Sequence, residues 1–152
     1  MLRPLQAQDM PALLDLWVDA WRAAYPAIDF ESRRDWAREH FTALRRDGAE
    51  IHLAWRDGRI IGALAIHPGT HYLDQIVVAT DAQGRGVAMQ LLAQARRISP
   101  ERIELHVNQD NARAIAFYRK NGFEIAGEDV NARSGAPVFL MQWRPGLQAA
   151  SN

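Results

Sequence analysis

One stretch limits the folds open to this chain more than any other: Ile76-Val77-Val78-Ala79-Thr80-Asp81-Ala82-Gln83-Gly84-Arg85-Gly86-Val87-Ala88. A β-branched apolar run stops at a polar turn. Two glycines then open a segment with Val87, Leu91, Ala95 and Ile98 at helical spacing. This reads as strand, loop and helix start. A helix N-terminus leaves backbone N–H groups unpaired at the positive end of its dipole, so the loop is a ready anion site. Gly84 and Gly86 let the backbone approach a ligand and take positive φ. Ser99-Pro100 ends the helix, and residues 103–107 form the next strand. Strand, helix and strand in that order require a parallel pair with a right-handed crossover.

The flanking segments complete a sheet. Residues 2–8 read as an edge strand, and Asp9 as an N-cap. Leu13, Leu14, Leu16, Trp17, Ala20 and Trp21 follow at helical spacing, up to Tyr25-Pro26. A second helix is expected over 30–45, with Trp36 and Phe41 inward. Residues 51–55 and 60–66 are strands joined by Arg56-Asp57-Gly58-Arg59, a strong hairpin signal, with Gly62 weakening the second or marking a close approach. Tyr72–Val78 is the strand that feeds the glycine loop. Asn111 opens a helix carrying Ile115 and Tyr118, capped by Asn121-Gly122. Residues 123–127 and Pro137–Trp143 close the sheet around a polar loop, 129–136. The hairpin is antiparallel and the crossover parallel, so the sheet is mixed, with helices on both faces.

A chain of 152 residues, 48% apolar, fits one domain with a sizeable core. With no cysteine, disulfides, thiolate zinc sites and a cysteine nucleophile are excluded. Eighteen basic residues balance eighteen acidic ones, which argues against a nucleic-acid surface built on net charge and gives no sign of a strongly cationic acceptor. No apolar run is long enough for a membrane span, and the N-terminus lacks a signal-peptide core, so a cytoplasmic location is expected. No metal site is expected.

Gln83-Gly84-Arg85-Gly86-Val87-Ala88, after a hydrophobic strand and before Leu91-Leu92, is similar to the Gln/Arg-x-x-Gly-x-Gly/Ala signature of the GCN5-related N-acetyltransferases (GNAT). Leu105-His106-Val107-Asn108, Asn111, Ala114, Phe117-Tyr118 and Asn121-Gly122-Phe123 resemble that family's second cofactor region. The resemblance covers about 72–127. It implies an α/β (α+β) GNAT fold: a mixed central sheet of six or seven strands, helices on both faces, and a splayed strand pair holding coenzyme A. It also implies a single N-acetyltransferase domain over 1–146, followed by a loose tail over 147–152.

The cofactor so implied is acetyl-CoA. Its pyrophosphate would lie on Gln83, Gly84, Arg85, Gly86, Val87 and Ala88. Its pantetheine arm would run along the backbone of Ile76, Val77 and Val78, with Asn108 and Asn111 beside it. Splayed strands leave backbone groups that pantetheine amides satisfy as an added strand would. Direct transfer to an amine requires a neutral amine near the thioester, a donor for the carbonyl oxygen and a proton for the thiolate. By resemblance Tyr118 supplies the proton, being a phenol that stays protonated at neutral pH with a pKa of about 10. The backbone N–H of Val78 or its neighbour supplies the donor.

The base is open. Strict alternation puts Tyr72, Asp74, Ile76 and Val78 on one face, so Asp74 is a candidate to bind or deprotonate the amine. His71 and His106 have suitable chemistry, and a water relay is a further option. Tyr25, at a helix end, leads the acceptor-binding candidates, with Tyr72, Asp74 and His106; Trp17, Trp21 and Trp36 form a possible aromatic wall.

The expected function is acetyl transfer from acetyl-CoA to a primary amine of a small molecule, peptide or protein, by a monomer or homodimer. A non-catalytic acetyl-CoA-binding regulatory module is the alternative. A dinucleotide fingerprint from Gly84 fails at Met89, although Glu104 falls where that motif wants an acid. No P-loop, Gly-x-Ser-x-Gly or His-Glu-x-x-His occurs.

Overall fold

Asp57 and Gly58 both take positive φ (53° and 77°), the conformation of a two-residue type I′ turn. They fold β2 (Glu50–Arg56) back onto β3 (Arg59–His67), and β3 pairs antiparallel with β4 (Tyr72–Val78). The remaining strands are β1 (Leu2–Pro4), β5 (Ile103–Asn108), β6 (Glu124–Val130) and β7 (Pro137–Trp143). The computed structural model describes residues 1–146. Their sheet has the order β1-β2-β3-β4-β5-β7-β6, and β4–β5 is its one parallel pair. The expected tail, 147–152, lies outside the described residues. Among the described residues no helix is long and apolar enough to cross a membrane.

Four helices cover the sheet: α1 (Met10–Ala24), α2 (Arg34–Arg46), α3 (Val87–Ile98) and α4 (Ala112–Lys120). Leu13, Leu14 and Trp17 of α1 and Phe41 of α2 pack with Leu53, Ala63, Ala65 and Val77 on one face. Leu91 and Leu92 of α3 pack with Leu64, Ile66, Leu73, Ile103, Leu105 and Met141 on the other. β3 is buried on both sides, so its sequence is a continuous apolar run.

Gly62 marks a close approach. A Cβ there would lie 2.9 Å from Val87 Cγ1 and 3.0 Å from Leu91 Cδ1, so the missing side chain seats the first turn of α3 on the sheet.

Some local expectations shift. Residues 31–33 form a 3-10 turn and α2 starts at Arg34. β6 reaches Val130, which shortens the following loop to 131–136. Asp9 precedes α1, but its carboxylate makes no cap there. It accepts from Arg3 (2.8 and 2.9 Å) and from the Gln6 N–H (2.8 Å) instead, because a buried carboxylate must be paired.

Two irregularities in β4 shape everything functional. First, Ala65 pairs with Gln75 but Ile66 pairs with Leu73, so Asp74 is an extra, bulged residue. The bulge breaks the alternation that would put Tyr72, Asp74, Ile76 and Val78 on one face. Ile76 and Val78 pack with the α3–α4 core, whereas Asp74 reaches His40 of α2 on the opposite face. Second, β4 and β5 share one bridge pair, Tyr72↔Glu104, reinforced by the Glu104 N–H to His71 O bond of 2.9 Å. Beyond it the strands diverge into a wedge.

Candidate active site

The wedge exposes a row of backbone groups on β4. The Ala79 N–H bonds Ile61 O, and the ladder continues through Val77↔Ala63. Antiparallel pairs alternate between hydrogen-bonded and non-bonded, so Val77 spends its polar groups on β3. Ile76 and Val78, in the non-bonded positions, turn theirs toward β5, which is no longer within reach. Of the three residues expected to form the pantetheine track, two therefore offer free backbone and the middle one does not.

The wedge leads to the glycine loop. Gly84 and Gly86 have φ of 79° and 81°, and Gly86 is the N-cap of α3. A Cβ on either would enter open space. Gly86 O accepts from Gln90, which starts the helix and leaves the Val87, Ala88 and Met89 N–H groups directed out of its end. Buried Val87 anchors that end, while Gln83 and Arg85 are exposed. Arg113 of α4 donates to Gln83 Oε1 (2.5 Å), tying the loop to the second cofactor region.

Tyr118 lies on α4 against the same core as Ile76 and Val78. Its ring meets Phe117 and Phe123 edge-on, both at 5.2 Å. Burial pushes its phenol well above the ordinary tyrosine value, so it keeps its proton. Asn111 caps α4, its Oδ1 accepting from the Ala114 N–H (3.1 Å). Asn108 Nδ2 donates to Tyr25 OH (3.1 Å), and Tyr25 OH donates to Asp110 Oδ1 (2.8 Å). Two residues 83 apart in sequence thus close the end of α1 onto the β5–α4 loop.

On β5, Ile103, Leu105 and Val107 enter the α3–α4 core, so Glu104, His106 and Asn108 face the α1–α2 side. Tyr72 and Asp74 join them there. Tyr72 OH and His106 Nδ1 are 2.8 Å apart, and His106 Nε2 lies 3.6 Å from Asp129 Oδ2. Burial raises the Tyr72 phenol to about 12, with Asp74 and Asp129 adding negative charge and His106 opposing. His40 Nε2 donates to Asp74 Oδ2 at 2.8 Å, and its ring stacks on Trp36 at 4.7 Å. Arg133, from the β6–β7 loop, places its guanidinium 3.5 Å from the Trp36 ring centroid. Burial and the nearby Arg33 lower its pKa.

The predicted residues therefore fall into two groups on either side of the wedge: Ile76, Val78, the loop 83–88 and Tyr118 on one side, and Tyr25, Tyr72, Asp74, His106 and Asn108 on the other. His71 goes elsewhere, bonding Ser99 Oγ at 2.7 Å. Trp17 and Trp21 pack within the α1–α2 layer with Phe30. The contacts of His40, Asp129 and Arg133 were not legible in the sequence, although the loop 129–136 and the N-terminal helices are where acceptor recognition is expected. Each residue meets its partner across more than twenty residues of chain, and no local pattern marks such contacts.

A strand edge with free amide-pairing groups that ends on a glycine-lined helix start defines a site for a ligand carrying amides and a pyrophosphate. Acetyl-CoA fits both halves: the Ile76 and Val78 groups suit its pantetheine, and the α3 start suits its phosphates. The chain belongs to the acetyltransferase (GNAT) family, whose model matches residues 10–123. It is an acetyl-CoA-dependent N-acetyltransferase.

It is 29% identical over 146 residues to the peptidyl-lysine N-acetyltransferase YiaC of Escherichia coli, covering 94% of this chain and 96% of that one. The crystal structure of a ribosomal-protein-alanine N-acetyltransferase from Brucella melitensis is 27% identical with a TM-score of 0.69, covering 95% and 99%. The PaiA N-acetyltransferase of Thermoplasma acidophilum, solved in complex with coenzyme A, shares the fold with a TM-score of 0.80 at 20% identity, covering 95% and 98%.

Proposed function

We propose that this enzyme acetylates the ε-amine of a lysine presented by a peptide or protein, in the groove on the α1–α2 side of the wedge. The observation that carries this is the arrangement of the groove. Asp74, Glu104 and Asp129 stand on strand faces that open together, and Asp74 and Asp129 both act on the Tyr72 phenol. Such a groove attracts an ammonium group and disfavours anionic acceptors, although the chain as a whole is neutral. The likeness to a peptidyl-lysine N-acetyltransferase along nearly the full chain supports the same class.

Acetyl-CoA supplies the activated acyl group. The chain's own residues do the rest. The α3 N-terminus and the Ile76 and Val78 backbone hold the cofactor. The Ile76 and Val78 N–H groups are the available donors for the carbonyl oxygen as it gains charge. Asp74, held by His40, binds the acceptor ammonium. Tyr118 keeps its proton until a thiolate leaves, then gives it up. Asn108 acts by fixing Tyr25 at the groove's edge.

The test follows free CoA with a thiol reagent, offering an N-terminally blocked lysine peptide, its acetyl-lysine counterpart and a glutamate peptide with a free N-terminus. CoA release with the blocked lysine peptide alone, and an added acetyl group on its lysine by mass spectrometry, is expected. Release with the glutamate peptide but not the lysine peptide would overturn the assignment.

A further inference from the structure

Acetylation of a protonated amine requires that a proton leave before the lone pair can attack, and none of the roles above removes it. Tyr118 is a donor, and Asp74 already accepts from His40. Tyr72, His106 and Asp129 come from three different strands, yet Tyr72, at the single β4–β5 bridge, reaches one nitrogen of His106 and Asp129 lies near the other. The Asp129 carboxylate lies 3.6 Å from His106 Nε2, beyond hydrogen-bond range, and its negative charge favours the tautomer with the hydrogen on Nε2. Nδ1 then has its lone pair free and takes the hydrogen bond from Tyr72 OH at 2.8 Å. A histidine held in this tautomer is set to receive a second proton at Nδ1, with a carboxylate behind it to stabilise the cation.

We propose that Tyr72, His106 and Asp129 form the relay that deprotonates the acceptor amine. The inference rests on the N-acetyltransferase reading of the site. An N–H bond of the substrate ammonium breaks and its proton goes to the Tyr72 oxygen, while the phenolic proton passes to His106 Nδ1. The products are a neutral amine, an unchanged Tyr72 and an imidazolium facing Asp129. Tyr72 never ionises, which suits a phenol buried beside two carboxylates. Tyr72 touches the substrate in this scheme; His106 and Asp129 act through it.

The other charged groups near His106 are Asp74 from β4, paired with His40 of α2, and Glu104 from its own strand, which accepts from Gln142 Nε2 of β7 at 2.9 Å. Arg133 is turned to Trp36. The imidazolium therefore forms among acids, with no cation directed at it from these elements. His106 is also partly exposed, so it can return the proton to solvent between turnovers.

The experiment uses the full-length enzyme, acetyl-CoA and the blocked lysine peptide, with Tyr72→Phe, His106→Gln and Asp129→Asn beside wild type. Steady-state rates are taken across pH and in mixtures of H2O and D2O, and acetyl-CoA affinity is measured by calorimetry. Wild-type kcat/KM should fall on the acid side. Tyr72→Phe and His106→Gln should lower kcat at neutral pH by about 100-fold or more, the usual worth of a positioned base. Their acetyl-CoA affinity should stay unchanged, and their rates should climb with pH toward the amine's own deprotonation.

The solvent-isotope plot should be curved for wild type, with two protons in flight, and straight for Tyr72→Phe. Asp129→Asn should cost less and leave the curvature. Wild-type kcat and pH profile in both Tyr72→Phe and His106→Gln would overturn the relay. So would a parallel collapse of acetyl-CoA affinity, which would mark the pair as structural. A wild type that binds acetyl-CoA and releases no CoA with the lysine peptide would overturn the lysine acceptor along with the relay. Wild-type turnover with unaffected variants overturns the relay alone.

Discussion

Replacing Gly62 by alanine adds one methyl group, and its consequence can be worked from distances. The new Cβ would sit 2.9 Å from Val87 Cγ1, 3.0 Å from Leu91 Cδ1 and 3.3 Å from Val77 O. Val87 is β-branched and 1% exposed, and Leu91 is fully buried, so neither tip can swing aside. Overpacking of this kind costs about 1–3 kcal/mol. Removing a strand glycine returns roughly 0.5–1 kcal/mol of chain entropy. A net loss of up to about 2.5 kcal/mol remains, and for a chain of this size each kcal/mol lowers Tm by roughly 2–4 °C.

The strain also has a direction. It lifts the first turn of α3, which carries the N–H groups of the phosphate cradle, so acetyl-CoA binding should weaken with stability. Each kcal/mol lost there is about a fivefold rise in Kd. The assay is a double-mutant cycle with Val87→Ala, read by thermal unfolding and by calorimetry with acetyl-CoA. Trimming Val87 removes the nearest clash, so Gly62→Ala should cost less in the Val87→Ala background than in wild type. Equal costs in both backgrounds, or a Gly62→Ala variant with wild-type Tm and Kd, would refute the close-approach argument.

Tyr118→Phe keeps the edge-on packing with Phe117 and Phe123 and deletes only the proton donor. It should slow kcat by about 100-fold or more while acetyl-CoA Kd stays within about threefold, and an unchanged kcat removes Tyr118 from the chemistry. Gly86→Glu forces a side chain into positive φ and sets a carboxylate in the cradle. Calorimetry should show no acetyl-CoA binding by a protein that circular dichroism shows to be folded, and retained affinity would place the phosphates elsewhere.

Arg3 holds the Asp9 carboxyl below the usual carboxylate range. Asp9 thus contributes stability that is fully present above its unfolded pKa of about 3.9 and lost as pH falls through the folded value. Denaturant titrations should show a shallower acid-side loss for Asp9→Asn than for wild type; parallel slopes would mean that the pair carries no such linkage.

The sequence alone determined the scaffold and pointed to a phosphate cradle, because both are written in local patterns. Apolar periodicity and turn residues located every strand and helix, and the hairpin at Asp57-Gly58 follows from two residues that tolerate positive φ. The cradle was legible because glycines at a strand-to-helix turn have few other uses, whereas the role expected of Tyr118 came only from the resemblance to the family's second cofactor region.

The proposed acceptor half was decided by tertiary structure. The bulge at Asp74 turns that carboxylate away from Ile76 and toward His40, and no alternation rule shows where an extra residue enters a strand. The β3–β4 register spends the Val77 backbone on β3, and the single β4–β5 bridge leaves that of Ile76 and Val78 unpaired; both are properties of strand pairing and not of side-chain type. His106 reads as an ordinary alternating strand residue until Tyr72 and Asp129 are brought beside it, and Asp129 lies in a stretch that reads as loop. Composition gives a net charge of zero. Folding gathers Asp74, Glu104 and Asp129 on one side of the sheet, since charge density at a site depends on which strands become neighbours and not on how many acids the chain contains.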